Sequence, residues 1–209
     1  MNNNNEQRND RAIYLSSTFE ESSYFLADKL FSSEEIDHIR NICEQSERKE
    51  GLTGVNKDPN YTIRKSKISW HSKNEELISM LWPHILRVNE KAKWNYNISK
   101  ILDIQYTVYD DKDSHYDWHV DIMHGSREDN LYRKISCSIL LNEDADEYEG
   151  GNFELLRFRR DNNMEIRRVV NQKKGSAIFF PSFLYHRITP ITKGIRKSLV
   201  LWVGGPKWV

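Results

Sequence analysis

Apolar positions recur at helical spacing in the first hundred residues and at strand spacing after them. Ser32-Ser33-Glu34-Glu35 offers an N-cap serine with a glutamate three positions on, ahead of Ile36, Ile39 and Ile42, and predicts a helix running to about Arg48. Gly51, Gly54 and Pro59 then mark Lys49 to Asn60 as a loop of about a dozen residues. A short strand holding Ile68 and Trp70 follows. Leu77, Leu81, Ile85 and Val88 predict a second helix, with Asn95 and Asn97 marking its aftermath.

Beyond Ile101 the period changes. Leu102, Ile104, Tyr106 and Val108 alternate with Asp103, Gln105, Thr107 and Tyr109, the pattern of a strand with two unlike faces. Further strands are expected near Tyr116–Ile122, Lys134–Asn142, Asn152–Phe158, Ile166–Val170, Ala177–Phe180, Tyr185–Thr189 and Arg196–Val203, punctuated by Gly150-Gly151, Asp161-Asn162-Asn163, Lys174-Gly175 and Lys193-Gly194. No helical crossover separates them, so a mainly β sandwich or jelly roll with N-terminal helices is expected, not a parallel sheet. The organisation read from this is a polar, disordered tail over 1–12 and one domain over 13–209. Within it, 13–100 forms the helical support region and loop, and 101–209 the jelly-roll core.

Lysines plus arginines balance aspartates plus glutamates at 31 each, so no overall field draws the chain to nucleic acid or to an anionic membrane. Cys43 and Cys137 are too few and too scattered for a disulfide framework or a thiolate zinc site. The asparagine-rich start has no apolar core, and no apolar run approaches the roughly 18 residues that span a bilayer. A cytoplasmic location is expected, and nothing here specifies an oligomeric state.

His119 and Asp121 stand two apart on a predicted strand, which turns both side chains to one face with alpha carbons roughly 6.5 to 7 Å apart. His186 can add a second imidazole from farther along the chain. Two histidines and one carboxylate on one face of an octahedral ion leave three positions open, the set used by non-haem iron(II) oxygenases. His-x-Asp alone is also what a surface pair or a satisfied hydrogen bond would give. Arg196 lies ten positions beyond His186, with Ser198 on its face and Lys197 on the opposite one. A buried guanidinium fork beside a metal is a receptor for a dicarboxylate; a surface salt bridge is the plainer alternative.

Several stretches, in this order, resemble the iron(II) and 2-oxoglutarate dioxygenases of the prolyl 4-hydroxylase type, including small bacterial and phage members. They are Gln105-Tyr106 through Tyr109, Tyr116-Asp117-Trp118-His119-Val120-Asp121, Glu149-Gly150-Gly151-Asn152-Phe153, Phe180-Pro181-Ser182, and His186 through Ser198. The resemblance implies a double-stranded β-helix, a cupin-like jelly roll backed by N-terminal helices. It implies iron(II) on His119, Asp121 and His186, and 2-oxoglutarate on Arg196, with Tyr109 facing the cosubstrate and Ser198 a weaker contact. Trp202 matches a tryptophan near the substrate end of some relatives, where a core tryptophan is the other reading. Dioxygen as co-reactant, ascorbate (vitamin C) as reductant, and release of succinate and CO2 complete the implied chemistry. One position departs: some animal relatives hold the distal carboxylate with a tyrosine where this chain has Leu140, so Ser138 or nothing completes that contact.

The substrate expected from the resemblance is a prolyl residue in a peptide or protein; a small molecule or another side chain is the alternative. The polar segments Gly51 to Arg64 and His124 to Asn130 are candidate lids, and Tyr61, Arg64 and Trp70 candidate substrate contacts beside ordinary surface or packing roles. A nucleic-acid demethylase is disfavoured because Trp202 stands where that branch carries a second arginine. A non-catalytic jelly-roll module is disfavoured because all three ligands and Arg196 are intact.

Overall fold

The computed structural model describes residues 13–15, 24–53, 59–122, 130–142, 147–158, 164–169 and 174–208. The expected tail over 1–12, the Asp161-Asn162-Asn163 turn and, except for Asn130, the candidate lid after the His-x-Asp pair lie outside these residues.

The capping box at Ser32 is formed: its hydroxyl accepts from the Glu35 amide at 3.2 Å, and its amide donates to the Glu35 carboxylate at 2.9 Å. The helix it starts, α1 (Ser33–Glu44), stops short of the expected Arg48. There the chain is drawn into a strand, β3 (Lys49–Glu50), and the Gly51 amide bonds to the Ser66 carbonyl at 2.8 Å. The second helix, α2 (Glu75–Lys91), is capped by Asn74, whose side chain accepts from the Leu77 amide at 2.9 Å. Acidic residues in its first turn and Lys91 in its last suit the helix dipole.

The strands in chain order are β1 (Ile13–Leu15), β2 (Phe25–Asp28), β3, β4 (Arg64–Lys65), β5 (Lys67–Trp70), β6 (Lys100–Tyr109), β7 (His115–His119), β8 (Tyr132–Leu140), β9 (Tyr148–Gly150), β10 (Phe153–Phe158), β11 (Met164–Val169), β12 (Ala177–Pro181), β13 (His186–Ile188), β14 (Ile191–Gly194) and β15 (Arg196–Gly205). All eight strands expected after Ile101 are present. The two expected helices are joined in the first third by β5, where a short strand around Ile68 and Trp70 was expected, and by β1 to β4, which were not expected. β9 and β14 were not expected either; among the described residues they pair only with each other, in a two-stranded ribbon.

From β6 onward the chain shuttles between two sheets. One has the order β1-β2-β12-β8-β15-β6-β5-β3, the other β11-β10-β13-β7-β4. This winding of one antiparallel ribbon into two facing sheets makes two cores. On the outer face of the large sheet, Ile36 and Ile39 of α1 and Leu77, Leu81, Ile85 and Val88 of α2 pack against Ile104, Tyr106 and Val108 of β6. Between the sheets, Phe153, Leu155, Ile178, Phe180 and Ile188 form the second core. β12 serves both: Ala177 and Phe179 face the helices, Ile178 and Phe180 the interior. The interior faces of β6, β7, β13 and β15 carry the candidate chemistry.

Candidate metal centre

β7 and β13 are antiparallel neighbours, with His119 opposite His186 and Tyr116 opposite Ile188. The stretch between these pairs is one residue longer on β7, which is a β-bulge at Asp117-Trp118. Regular alternation would send Tyr116 and His119, three apart, to opposite faces. The bulge turns both inward, and their rings stack at 3.5 Å between centroids. Asp121 lies just past β7 and not on it, which corrects the expectation of a continuous strand to Ile122. Its amide is taken by the Ser182 carbonyl at 2.9 Å, fixing it to the turn after β12 instead of a strand neighbour.

Each imidazole is oriented by its own backbone. His119 Nδ1 lies 2.7 Å from the Asp117 carbonyl, and His186 Nδ1 3.0 Å from the Leu184 carbonyl. A carbonyl only accepts, so both Nδ1 atoms donate and both Nε2 atoms present lone pairs. Those lone pairs face the Asp121 carboxylate, at 3.8 Å from Oδ1 for His119 and 3.4 Å from Oδ2 for His186. The three ligand atoms lie within 4.8 Å of one another. Asp121 Oδ2 is buried without a hydrogen-bond partner. Acceptors held against acceptors in a dry pocket are unfavourable until a cation sits between them.

The electrostatics agree. Burial and the neighbouring His186 push the His119 imidazole down to about 3, so it is neutral. Burial would raise the Asp121 carboxyl, but His186, His119 and the Ser136 hydroxyl outweigh it and hold the group below its ordinary value. A neutral His119 imidazole beside an ionised Asp121 carboxylate suits a divalent ion, which takes deprotonated ligands. The donor set and its open side fit iron(II).

Arg196 is fully buried on the interior face, opposite Tyr109 in register. Its Nη1 donates to Ser198 Oγ at 3.0 Å, and its guanidinium carbon lies 5.6 Å from the Tyr109 ring centre. Burial pushes the Tyr109 hydroxyl up, keeping it a proton donor. Gly151, at φ +56°, makes room for this: a Cβ there would stand 3.1 Å from Arg196 Cδ. Leu140 sits opposite Ser198 and Ser138 opposite Val200, an apolar and a hydroxyl neighbour on the same strand. Lys197 points the other way and bonds to Glu44 of α1 at 2.8 Å.

Arg64 is buried and donates to Ser66 Oγ and to Gln105 Oε1, each at 2.8 Å. Its guanidinium lies 4.5 Å from the centre of the Tyr116 ring, so Arg64, Tyr116 and His119 are linked by successive ring contacts. Trp70, 53% exposed, lies 6.0 Å from the buried Trp202 ring. Arg133 sits 4.1 Å from the Trp202 ring centre and is held by Asp103 at 2.8 Å. Tyr61 instead lines a separate crevice of about 210 Å³ with Lys65, Lys67, Asp110 and Asp111, which contains none of the ligands. Tyr116, Asp103 and Arg133 were not singled out from sequence. The Arg133–Asp103 pair joins distant positions, and Tyr116 was hidden by the bulge.

Residues 104–204 match the model of the 2OG-Fe(II) oxygenase superfamily. A PKHD-type hydroxylase of Xylella fastidiosa is 36% identical over 95 residues, covering 42% of this chain and 38% of the relative. One from Synechococcus is 28% identical over 133 residues, covering 60% and 55%. The chain thus spans 55% or less of the length of these curated relatives. Among solved structures, a Pseudomonas putida prolyl-4-hydroxylase superposes with a TM-score of 0.65 at 18% identity, over 88% of this chain and 94% of that one. A Trichoplax adhaerens prolyl hydroxylase in complex with a hypoxia inducible factor peptide fragment gives 0.66 at 19%, over 87% and 83%. These superpositions establish the fold as the double-stranded β-helix.

Proposed function

We propose, from the match of residues 104–204 to the 2OG-Fe(II) oxygenase superfamily model, that the chain is an iron(II)- and 2-oxoglutarate-dependent dioxygenase that hydroxylates prolyl residues in a protein or peptide. The observation that carries this reading is the convergence of two imidazole lone pairs on the buried Asp121 carboxylate, within the jelly roll that also buries Arg196. Iron and 2-oxoglutarate supply the oxidising power, with succinate and CO2 as co-products. The protein's part is orientation. His119, Asp121 and His186 hold the metal on one face, and Arg196 with Ser198 receives the distal carboxylate of the cosubstrate. The Tyr109 hydroxyl donates toward the same pocket, and the Phe153 and Phe180 rings beside His186 exclude water.

The peptide substrate is supported by the Trichoplax relative's peptide complex and by Trp70, whose half-exposed ring beside the buried Trp202 offers an aromatic face to an extended chain. The same chemistry on a small molecule or another side chain is the second reading. Among the described residues no helix is long and apolar enough to cross a membrane. We place the reaction in the cytoplasm, in keeping with two buried free thiols.

Incubation with proline-rich peptides, iron(II), 2-oxoglutarate and ascorbate is expected to yield hydroxyproline, read as a one-oxygen mass shift, with stoichiometric succinate. Asp121→Ala is expected to abolish both. Hydroxylation confined to free amino acids would transfer the assignment to the second reading. Iron binding without succinate from any substrate would leave a binding module.

A further inference from the structure

Behind the ligand strands, on the face turned away from the metal, three side chains form a row across three adjacent strands. Glu154 of β10 stands opposite Arg187 of β13 in register. Arg187 donates to Glu154 Oε2 through both Nε and Nη2 at 2.8 Å, and the Glu154 side chain is 4% exposed. The same guanidinium lies 4.7 Å from the ring centre of Trp118 on β7. Trp118 is one of the two residues of the bulge, and the other, Asp117, supplies the carbonyl that orients His119. Arg187 and Trp118 are also the chain neighbours of His186 and His119. One planar cation therefore spans from a buried carboxylate to the bulge that aims a ligand.

A bulge leaves its extra residue outside the ladder, so nothing in the β7–β13 pairing itself fixes how far it bends. A stacked, hydrogen-bonded guanidinium restricts it. We propose that Glu154, Arg187 and Trp118 are positioning residues that clamp the bulge from behind and set the separation and tilt of the His119 and His186 rings. The proposal rests on the metal-centre reading and adds that cation affinity is tuned from the reverse face of the sheet.

The test uses the full chain, cobalt(II) as the probe and, separately, the metal-free protein. Arg187→Gln and Trp118→Leu are each expected to weaken cobalt binding about tenfold and to alter its visible absorption, as loss of outer-shell support around metal ligands does. The double variant Glu154→Gln/Arg187→Gln removes both charges of this ion pair together. It is expected to regain apoprotein melting temperature over Arg187→Gln while keeping the weakened affinity, a split that a merely structural pair would not produce. In metal-free protein the His119 Nδ1 proton is expected to exchange with solvent at least tenfold faster in Arg187→Gln. Affinities within twofold of the parent in all three variants, with unchanged proton exchange, would overturn the clamp. A parent protein that binds no cobalt would overturn the metal-centre reading instead, and the proton exchange would still decide the clamp.

Discussion

At the scale of single residues, charge and shape make separate contributions. Arg196 offers a planar fork in a fully buried position, and lysine there would keep the charge and lose the two-pronged geometry. Arg196→Lys is expected to raise KM for 2-oxoglutarate roughly tenfold, a cost of about 1.4 kcal/mol, with a smaller effect on kcat. Steady-state succinate formation measures this, and an unchanged KM would exclude Arg196 as the carboxylate receptor. His119, Asp121, His186 and Arg196 were legible in the sequence as residue types suited to a metal and a carboxylate, and it was the resemblance to the dioxygenase family that set them above the plainer readings. Tyr116 was not. Its position relative to His119 depends on one extra residue in a strand, and no periodicity reports a bulge. The Asp103–Arg133 pair was equally hidden, since neither residue is unusual until the fold brings β6 and β8 to either side of β15.

At the scale of elements, long patterns were readable and short ones were not. α2 and β6 have enough turns or alternations for a period to stand out. The two residues of β3 or of β4 have none and are strands only because a distant neighbour pairs with them. The end of α1 was misplaced for the same reason, since pairing beyond it competes with helix continuation. One link between these elements can be tested by pH. Glu44 of α1 accepts from Lys197 of β15 at 2.8 Å and from the Tyr106 hydroxyl at 3.3 Å. The Lys197 hydrogen bond chiefly holds the Glu44 carboxyl below its ordinary value. A carboxyl lowered by folding stabilises the protein above its ordinary value, and that contribution is lost as pH falls through the lowered one. Thermal melts should therefore show the parent more stable than Glu44→Gln near about pH 6, with the gap closing toward about pH 3. The effect will be small, because the Glu44 side chain is 37% exposed and screened by water. A gap that widens on acidification would refute the link.

At the scale of the whole molecule, the helix-side core and the interior core divide the work. Leu81 touches only the first, whereas the Phe153 ring lies 5.7 Å from His186 and 5.3 Å from Phe180 in the second. Leu81→Ala is expected to cost about 2–5 kcal/mol of stability while leaving the cobalt affinity of the folded protein unchanged. Phe153→Ala is expected to cost about 3–5 kcal/mol and to weaken that affinity as well. Urea titrations with parallel cobalt titrations separate the two outcomes, and equal effects on affinity would show that the cores are not distinct. β12, sealed on both faces, nevertheless belongs to each of them, so neither can melt and leave the other intact. Metal occupancy at one end of the interior is thereby a thermodynamic ligand of the entire chain. At a hundred times its dissociation constant a cation that binds only the native state adds about 2.7 kcal/mol to unfolding, and a melting temperature for this protein has meaning only at a stated free metal concentration.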